Sequence, residues 1–204
     1  MNKLDKLIKL FESFPGVGAR QAKRFAFHIL TLSDSDTTEL SKIIAELRDT
    51  VIECASCHRF FSTQNHETIC SICNSGNRDH NRLLVVERDS DIQAIERAGA
   101  YDGLYFVFGG TVPLLSSGEN KKLRGAALKA TVETRIPEGL TEVILGFSIN
   151  PDGENTSRFV ESIIGQTLKE KTIKISHLGR GLSTGSELEY ADAETIKNAL
   201  NGRF

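Results

Sequence analysis

Apolar residues recur three and four apart through the first fifty positions of this chain, then gather after residue 82 into short unbroken runs. The first rhythm predicts helices. Leu4, Leu7, Ile8, Leu10 and Phe11 share one side of a helix over residues 2–12, with Lys3, Lys6 and Lys9 in a solvated row. A second helix follows Gly18 and places Ala22, Phe25, Ala26 and Ile29 on one face. A third is expected after Ser35 and Asp36, which suit caps, and runs through Leu40, Ile43, Ile44, Leu47 and Val51. Between the first two lies Phe14-Pro15-Gly16-Val17-Gly18. Pro15 fixes its own φ and stops the first helix, and the two glycines can take positive φ or admit a close backbone approach. So thin a helical core should pack against something else, such as a second copy of itself.

The second rhythm predicts strands at Leu83–Val86, Tyr105–Phe108, Val143–Phe147 and Ile173–Ile175. Helices are expected between them around Ile92 and Ile95, over 121–134, and from about 156 to 168 with Phe159, Val160, Ile163 and Ile164. Strands apolar on both faces that alternate with amphipathic helices indicate a mostly parallel α/β sheet. Such sheets present functional groups at the carboxyl ends of their strands. Glu87 follows the first strand, and Asp152 and Glu154 are expected in the loop after the third.

Composition narrows the partners. The chain has 204 residues, 39% hydrophobic and 25% charged, as expected of a soluble globular protein of one large domain or two to three small ones. No long apolar run or signal segment points to a membrane or to export, so a cytoplasmic protein is expected. A net charge of −2 gives no global attraction to nucleic acid. Residues 1–30, however, hold six Lys/Arg against two Asp/Glu, whereas 31–53 hold two against six. The one clearly basic block coincides with the helical hairpin. Arg20, Lys23 and Arg24 fall in the first turns of the second helix, beside N–H groups that have no intrahelical partner. Such an end suits a phosphate, although the cations themselves oppose the helix dipole. The alternative is an ordinary tight αα-turn capped by glycines.

All four cysteines lie within twenty residues, as Cys54-Ala55-Ser56-Cys57 and Cys70-Ser71-Ile72-Cys73 with twelve residues between the pairs. Two C-x-x-C knuckles at this spacing suit one structural Zn²⁺ with four thiolates and no position left for substrate. Two disulfides are the alternative in an oxidising compartment. His58 and His66 lie between the knuckles and are expected to be bystanders, because the cysteines complete the set. Residues 59–66 are expected to form a short ribbon in this module.

The hairpin resembles the helix-hairpin-helix motif, which holds a nucleic-acid backbone without reading bases. The order of parts, a helix-hairpin-helix, a four-cysteine module and a strand ending in Val85-Val86-Glu87, resembles the bacterial recombination mediator family RecR. The third part looks like a Toprim domain. The match extends through Gly109-Gly110, Asp152-Gly153-Glu154 and the tail from Gly179-Arg180-Gly181 to Tyr190-Ala191-Asp192. The resemblance implies a helix-hairpin-helix region over 1–53, a four-cysteine zinc finger over 54–78, a Toprim α/β sheet over 79–178 and a Walker-B-like oligomerisation segment over 179–204. It implies a non-enzymatic, nucleoid-associated clamp that binds single- and double-stranded DNA without sequence preference. With RecO and RecF as partners, such a protein loads recombinase on single strands at gaps. Homo-oligomeric rings, typically tetramers, are also implied. The family's DNA contacts fall on Arg20 and Arg24, with Lys23 adjacent, and its acidic partner surface on Glu87, Asp152 and Glu154.

Catalytic Toprim enzymes offer a rival reading, a Mg²⁺-dependent activity on DNA. They need a glutamate and an Asp-x-Asp pair to hold the ion. Aligning Asp152-Gly153-Glu154 with the Glu-Gly-Glu that follows that pair puts Ser148 and Asn150 where the aspartates belong, and neither supplies a charge. Two further readings stay open: an adaptor whose hairpin serves self-association, and an acidic loop that merely caps the next helix.

Overall fold

A computed structural model describes all residues except 64–66, 115–122, 171–172, 180, 183–184, 186–187 and 202–204. It divides the chain into two compact units, Met1–Ile52 and Glu53–Phe204.

In the first unit, α1 (Lys3–Glu12) starts from a capping box: the Asn2 side chain accepts from the Asp5 N–H at 2.8 Å, and the Asp5 carboxylate accepts from the Asn2 N–H. The chain turns through Phe14-Pro15-Gly16-Val17, with the Val17 N–H donating to the Phe14 carbonyl at 3.1 Å. Proline at the second position and Gly16 at the third, with φ 76°, define a type II turn. The next helix, α2 (Ala19–Ile29), begins at Gly18 and packs on α1. Ala22 and Ala26 are fully buried, and Phe11 meets Phe14 and Phe25 edge-on at 5.6 and 5.9 Å.

Helix α3 (Asp34–Thr50) begins slightly earlier than the sequence suggests. Its cap is Ser33, whose hydroxyl accepts from the Asp36 N–H at 3.1 Å. Ser35 and Asp36 therefore lie inside the first turn, where Asp34 and Asp36 favour the dipole. Val51 leaves the helix for a strand. None of the α3 side chains is buried, and Leu40, Ile43, Ile44 and Leu47 form an exposed apolar row. The thin core inferred from the pattern is observed.

The two-stranded ribbon pairs β1 (Val51–Glu53) with β2 (Phe60–Ser62), and the unit boundary falls within β1. The main sheet contains β3 (Asp79–Val86), β4 (Gly103–Val107), β5 (Glu142–Gly146) and β6 (Lys174–His177) in the order β4-β3-β5-β6, all parallel. Its helices are α4 (Asp89–Ala98), α5 (Gly125–Arg135) and α6 (Pro151–Glu170). A 3₁₀ turn, Leu188–Tyr190, precedes α7 (Ala193–Asn201), whose start is capped by Asp192, its carboxylate accepting from the Thr195 N–H at 2.9 Å.

Because successive strand residues face opposite ways, β3 divides its four apolar residues between two cores. Leu83 and Val85 join Leu128 and Val132 of α5 and Val160, Ile164 and Leu168 of α6. Leu84 and Val86 join Ile92 of α4 together with Cys54, Cys57, Cys70 and Ile72. The cysteine knuckles thus help cover one face of the sheet.

Candidate nucleic-acid interface, metal centre and acidic surface

Arg20, Lys23 and Arg24 are all exposed on the first two turns of α2. Arg24 receives only a local contact, donating from Nη1 to Gln21 Oε1 at 3.4 Å. The first turn holds no acidic residue, and no side chain caps the helix at Gly18. The helix end therefore keeps its positive partial charge and its outward N–H groups. Gly18 has ordinary φ, −85°, and a Cβ there would meet nothing within 4 Å. Neither backbone conformation nor internal packing of this chain requires glycine at that position.

The four cysteines come together. One sulfur from each lies within 4.8 Å of the others, and Cys54, Cys57 and Cys70 are buried. Cys57 Sγ and Cys70 Sγ are 3.7 Å apart. A tetrahedral ion with bonds of ~2.3 Å to sulfur sets its ligands ~3.8 Å apart. A disulfide needs ~2.05 Å, and all four cysteines are free. The Cys70 N–H also donates to Cys54 Sγ at 3.3 Å, as backbone amides do toward a thiolate. Hydrogen bonds from Cys57 and then Cys70 hold the Cys54 thiol far below its usual range, while those with Cys54 first drive Cys57 and Cys73 upward. The Cys70 thiol is lowered as well, Cys54 pushing it up and Cys57 and Cys73 pulling it down further. Four thiols this close share protons, and a cation is what lets all four ionise. His58 is not a ligand: its Nδ1 lies 2.6 Å from Glu53 Oε1, and its ring meets Phe106 edge-on at 5.0 Å. His66 lies outside the described residues.

Several contacts without a sequence signature tie the knuckles to the sheet. The Val107 N–H donates to the Cys57 carbonyl at 2.8 Å, and the Phe60 N–H to Asp89 Oδ1 at 2.7 Å. Arg124 donates from Nη2 to Glu53 Oε2 at 3.1 Å and from Nη1 to the Val107 carbonyl at 3.2 Å. No motif marks Arg124; only the fold places it there.

Glu87, Asp152, Ser148 and Asn150 line one cavity of about 290 Å³ together with Arg88, Asp91 and Thr111. Glu87 is 7% exposed. Its carboxylate accepts from Arg88 at 2.7 Å and from the Ser148 hydroxyl at 3.0 Å. The expectation of a loop around Asp152 and Glu154 needs correcting, because both lie in the first turn of α6. Pro151 opens that helix, Asn150 Oδ1 accepts from the Gly153 N–H at 2.8 Å, and two acidic residues suit its N-terminus. Gly153 has a steric reason to be glycine: a Cβ would lie 1.9 Å from the Ser148 carbonyl oxygen. Asp152 Oδ1 accepts from the Leu114 N–H at 2.9 Å. Ser148 thus meets Glu87 with a hydroxyl and not with a second carboxylate, and Arg88 supplies the local positive charge.

A basic helical hairpin, a buried four-cysteine cluster and a parallel sheet with acidic groups at its strand ends define a Toprim-containing protein of nucleic-acid transactions. Family models bear this out: "RecR, helix-hairpin-helix" matches residues 4–48, "Toprim domain" 81–179 and "RecR, C-terminal" 181–203. The chain is 36% identical over 199 residues to the recombination protein RecR of Desulforudis audaxviator, covering 97% of this chain and 94% of that protein. It is 34% identical over 200 residues to that of Bifidobacterium adolescentis, covering 98% and 94%. The figure for Lactobacillus acidophilus RecR is 32% over 197 residues, covering 97% and 94%. The chain belongs to the RecR family. It is accordingly a non-enzymatic DNA-binding mediator of recombinational repair, despite its Toprim fold. Among the described residues, no helix is long and apolar enough to cross a membrane.

Proposed function

We propose that the chain is the subunit of a ring-forming DNA clamp that grips phosphates through the α2 end and offers the Glu87 cavity to protein partners. The observation that carries this reading is the combination of Arg20, Lys23 and Arg24 with a helix start that no side chain caps and a glycine at 18 whose Cβ would meet nothing within 4 Å. A phosphate approaching the N–H groups of that turn would use the space a side chain would fill. Contacts of this type bind without sequence preference and serve both single strands and duplexes.

The four thiolates of Cys54, Cys57, Cys70 and Cys73 hold one Zn²⁺ per chain in this reading, on the strength of the donor set and the 3.7 Å sulfur spacing. The ion neutralises charge beneath the sheet and leaves no open position for chemistry. Glu87, Asp152 and Glu154 form the surface for partners of the RecO and RecF type. Self-association is supported by the uncovered apolar row of α3 and by how few phosphates one hairpin can reach. The tail over 179–204 adds further subunit contacts, completing a tetramer in the bacterial cytoplasm at the nucleoid.

A gel-shift series on single-stranded, duplex and gapped DNA, with and without Mg²⁺ and across rising salt, tests the reading. Retarded but intact DNA, released at high salt, is the expected result. The joint replacement Arg20→Ala/Arg24→Ala should weaken retention without lowering the unfolding temperature, and unchanged retention would refute the phosphate grip.

A further inference from the structure

Three polar or charged side chains are buried among the described residues: Glu87, Thr156 and Arg135. The first two are satisfied. Glu87 has Arg88 and Ser148, and Thr156 bonds the Val112 N–H and the Asp152 carbonyl. Arg135, 9% exposed in the last turn of α5, has one hydrogen bond, from Nη2 to Ser56 Oγ at 2.9 Å. No carboxylate of the described residues pairs with it within 4.0 Å. Its Nε and Nη1 have no hydrogen-bond partner among the described residues, yet neither is sealed from solvent, so the guanidinium is open to a ligand on that side.

The guanidinium borders a cavity of about 310 Å³ between the first cysteine knuckle and α5, which also takes in Ser56, Thr131, Thr134 and Glu138. The lining is rich in unused donors. Ser56 Oγ accepts from Arg135 and so keeps its own hydrogen to give. Thr134 has spent its hydrogen on the Ala130 carbonyl at 2.9 Å, but the Thr131 hydroxyl has no partner among the described residues. A cation and two hydroxyl donors around one small cavity match an oxyanion. Glu138 lines the same wall, and its negative charge would disfavour a doubly charged anion, so a carboxylate suits the cavity better than hydrogen phosphate.

We infer that the cavity between the Cys54–Cys57 knuckle and α5 is a carboxylate-binding site, with Arg135 as its charged ligand and Ser56 and Thr131 as hydroxyl donors. The volume suits the end of a glutamate side chain or a small free acid. The acidic surface around Glu87 takes no part in it.

The test uses the full zinc-loaded chain and follows its thermal midpoint at constant ionic strength, with chloride as control. Propionate, propionamide, inorganic phosphate and the blocked tripeptides acetyl-Gly-Glu-Gly-amide and acetyl-Gly-Gln-Gly-amide are titrated in turn. Propionate should raise the midpoint saturably while propionamide does not. A rise with the Glu tripeptide but not the Gln one assigns a protein side chain as the natural source; a rise with propionate alone assigns a free acid. Arg135→Gln should weaken binding roughly tenfold or more, the effect of losing one charge-assisted hydrogen-bonding group. Should that variant fail to fold, Glu138→Gln keeps the site testable, because it should strengthen binding and admit phosphate. No saturable response to any carboxylate, or a wild-type response to phosphate larger than to propionate, would overturn the site.

Discussion

Single residues separate what the fold needs from what a ligand needs, and three glycines show how. Gly16 sits at φ 76°, a conformation that an L side chain enters at a cost. Gly16→Ala should therefore lower stability by about 1 kcal/mol, measurable by denaturant unfolding. Gly18 differs, since its φ is ordinary and a Cβ would meet nothing within 4 Å. Gly18→Ser keeps a favoured N-cap residue, so it should leave the unfolding midpoint nearly unchanged yet reduce retention of DNA in a gel shift. Equal loss of stability in both variants would remove the argument for phosphate approach at 18. At Gly153 the obstacle is the Ser148 carbonyl oxygen, 1.9 Å from where an alanine methyl would sit. Gly153→Ala should cost about 1–3 kcal/mol, as overpacking does, and pull Ser148 away from Glu87.

Elements were legible in the sequence where one periodicity ruled, and illegible where a long-range contact decided the outcome. The buried strand cores, the hairpin and the cysteine pairing each had a local signature. The start of α6 had a local signature too, with Asn150 as cap, Pro151 at the first position and acidic residues in the first turn. Gly153 and an apolar period that becomes regular only further on made it resemble a loop. The sharing of one sheet face by Leu84, Val86 and three cysteines was hidden, since it joins residues far apart in the chain. That shared core would make the proposed metal matter beyond its own loop. Cys70→Ser should release the ion and lower the stability of the Glu53–Phe204 unit as a whole, visible as lost zinc by metal analysis and an earlier, broader melt.

A second element-scale test concerns α4. Its Glu96 accepts from Arg78 Nη1 at 2.9 Å and from the Tyr105 hydroxyl at 2.6 Å. Burial raises the Glu96 carboxyl, but Arg78 and then Tyr105 outweigh it and bring the carboxyl below its ordinary 4.5. A carboxyl whose folded value is depressed adds stability that is complete above the unfolded value and vanishes as pH falls through the folded one. The stability gap between wild type and Glu96→Gln should thus be constant above about pH 5.5. It should narrow steadily below pH 4.5. A gap that widened on acidification would contradict the pairing.

At the scale of the whole molecule, the question raised by the proposed grip is how three cations on one short helix would hold DNA at all. Each phosphate neutralised by a protein cation contributes about −0.7 to the slope of log affinity against log salt on single strands, and about −0.9 on duplex. One hairpin using Arg20, Lys23 and Arg24 would give roughly −2 and −3 respectively. An assembly engaging several hairpins must exceed those values in proportion. In the proposed ring, the exposed row of Leu40, Ile43, Ile44 and Leu47 would supply the means of assembly, because four apolar side chains on one helix gain by leaving water together. Ile43→Asp/Ile44→Asp places charge on that row at positions already 54% and 64% exposed, so α3 itself should survive. Sedimentation should then show a smaller particle, and the salt slope should fall toward the value of a single hairpin. If the particle shrinks while the slope holds, the hairpins do not act together on DNA; if neither changes, α3 does not join the subunits.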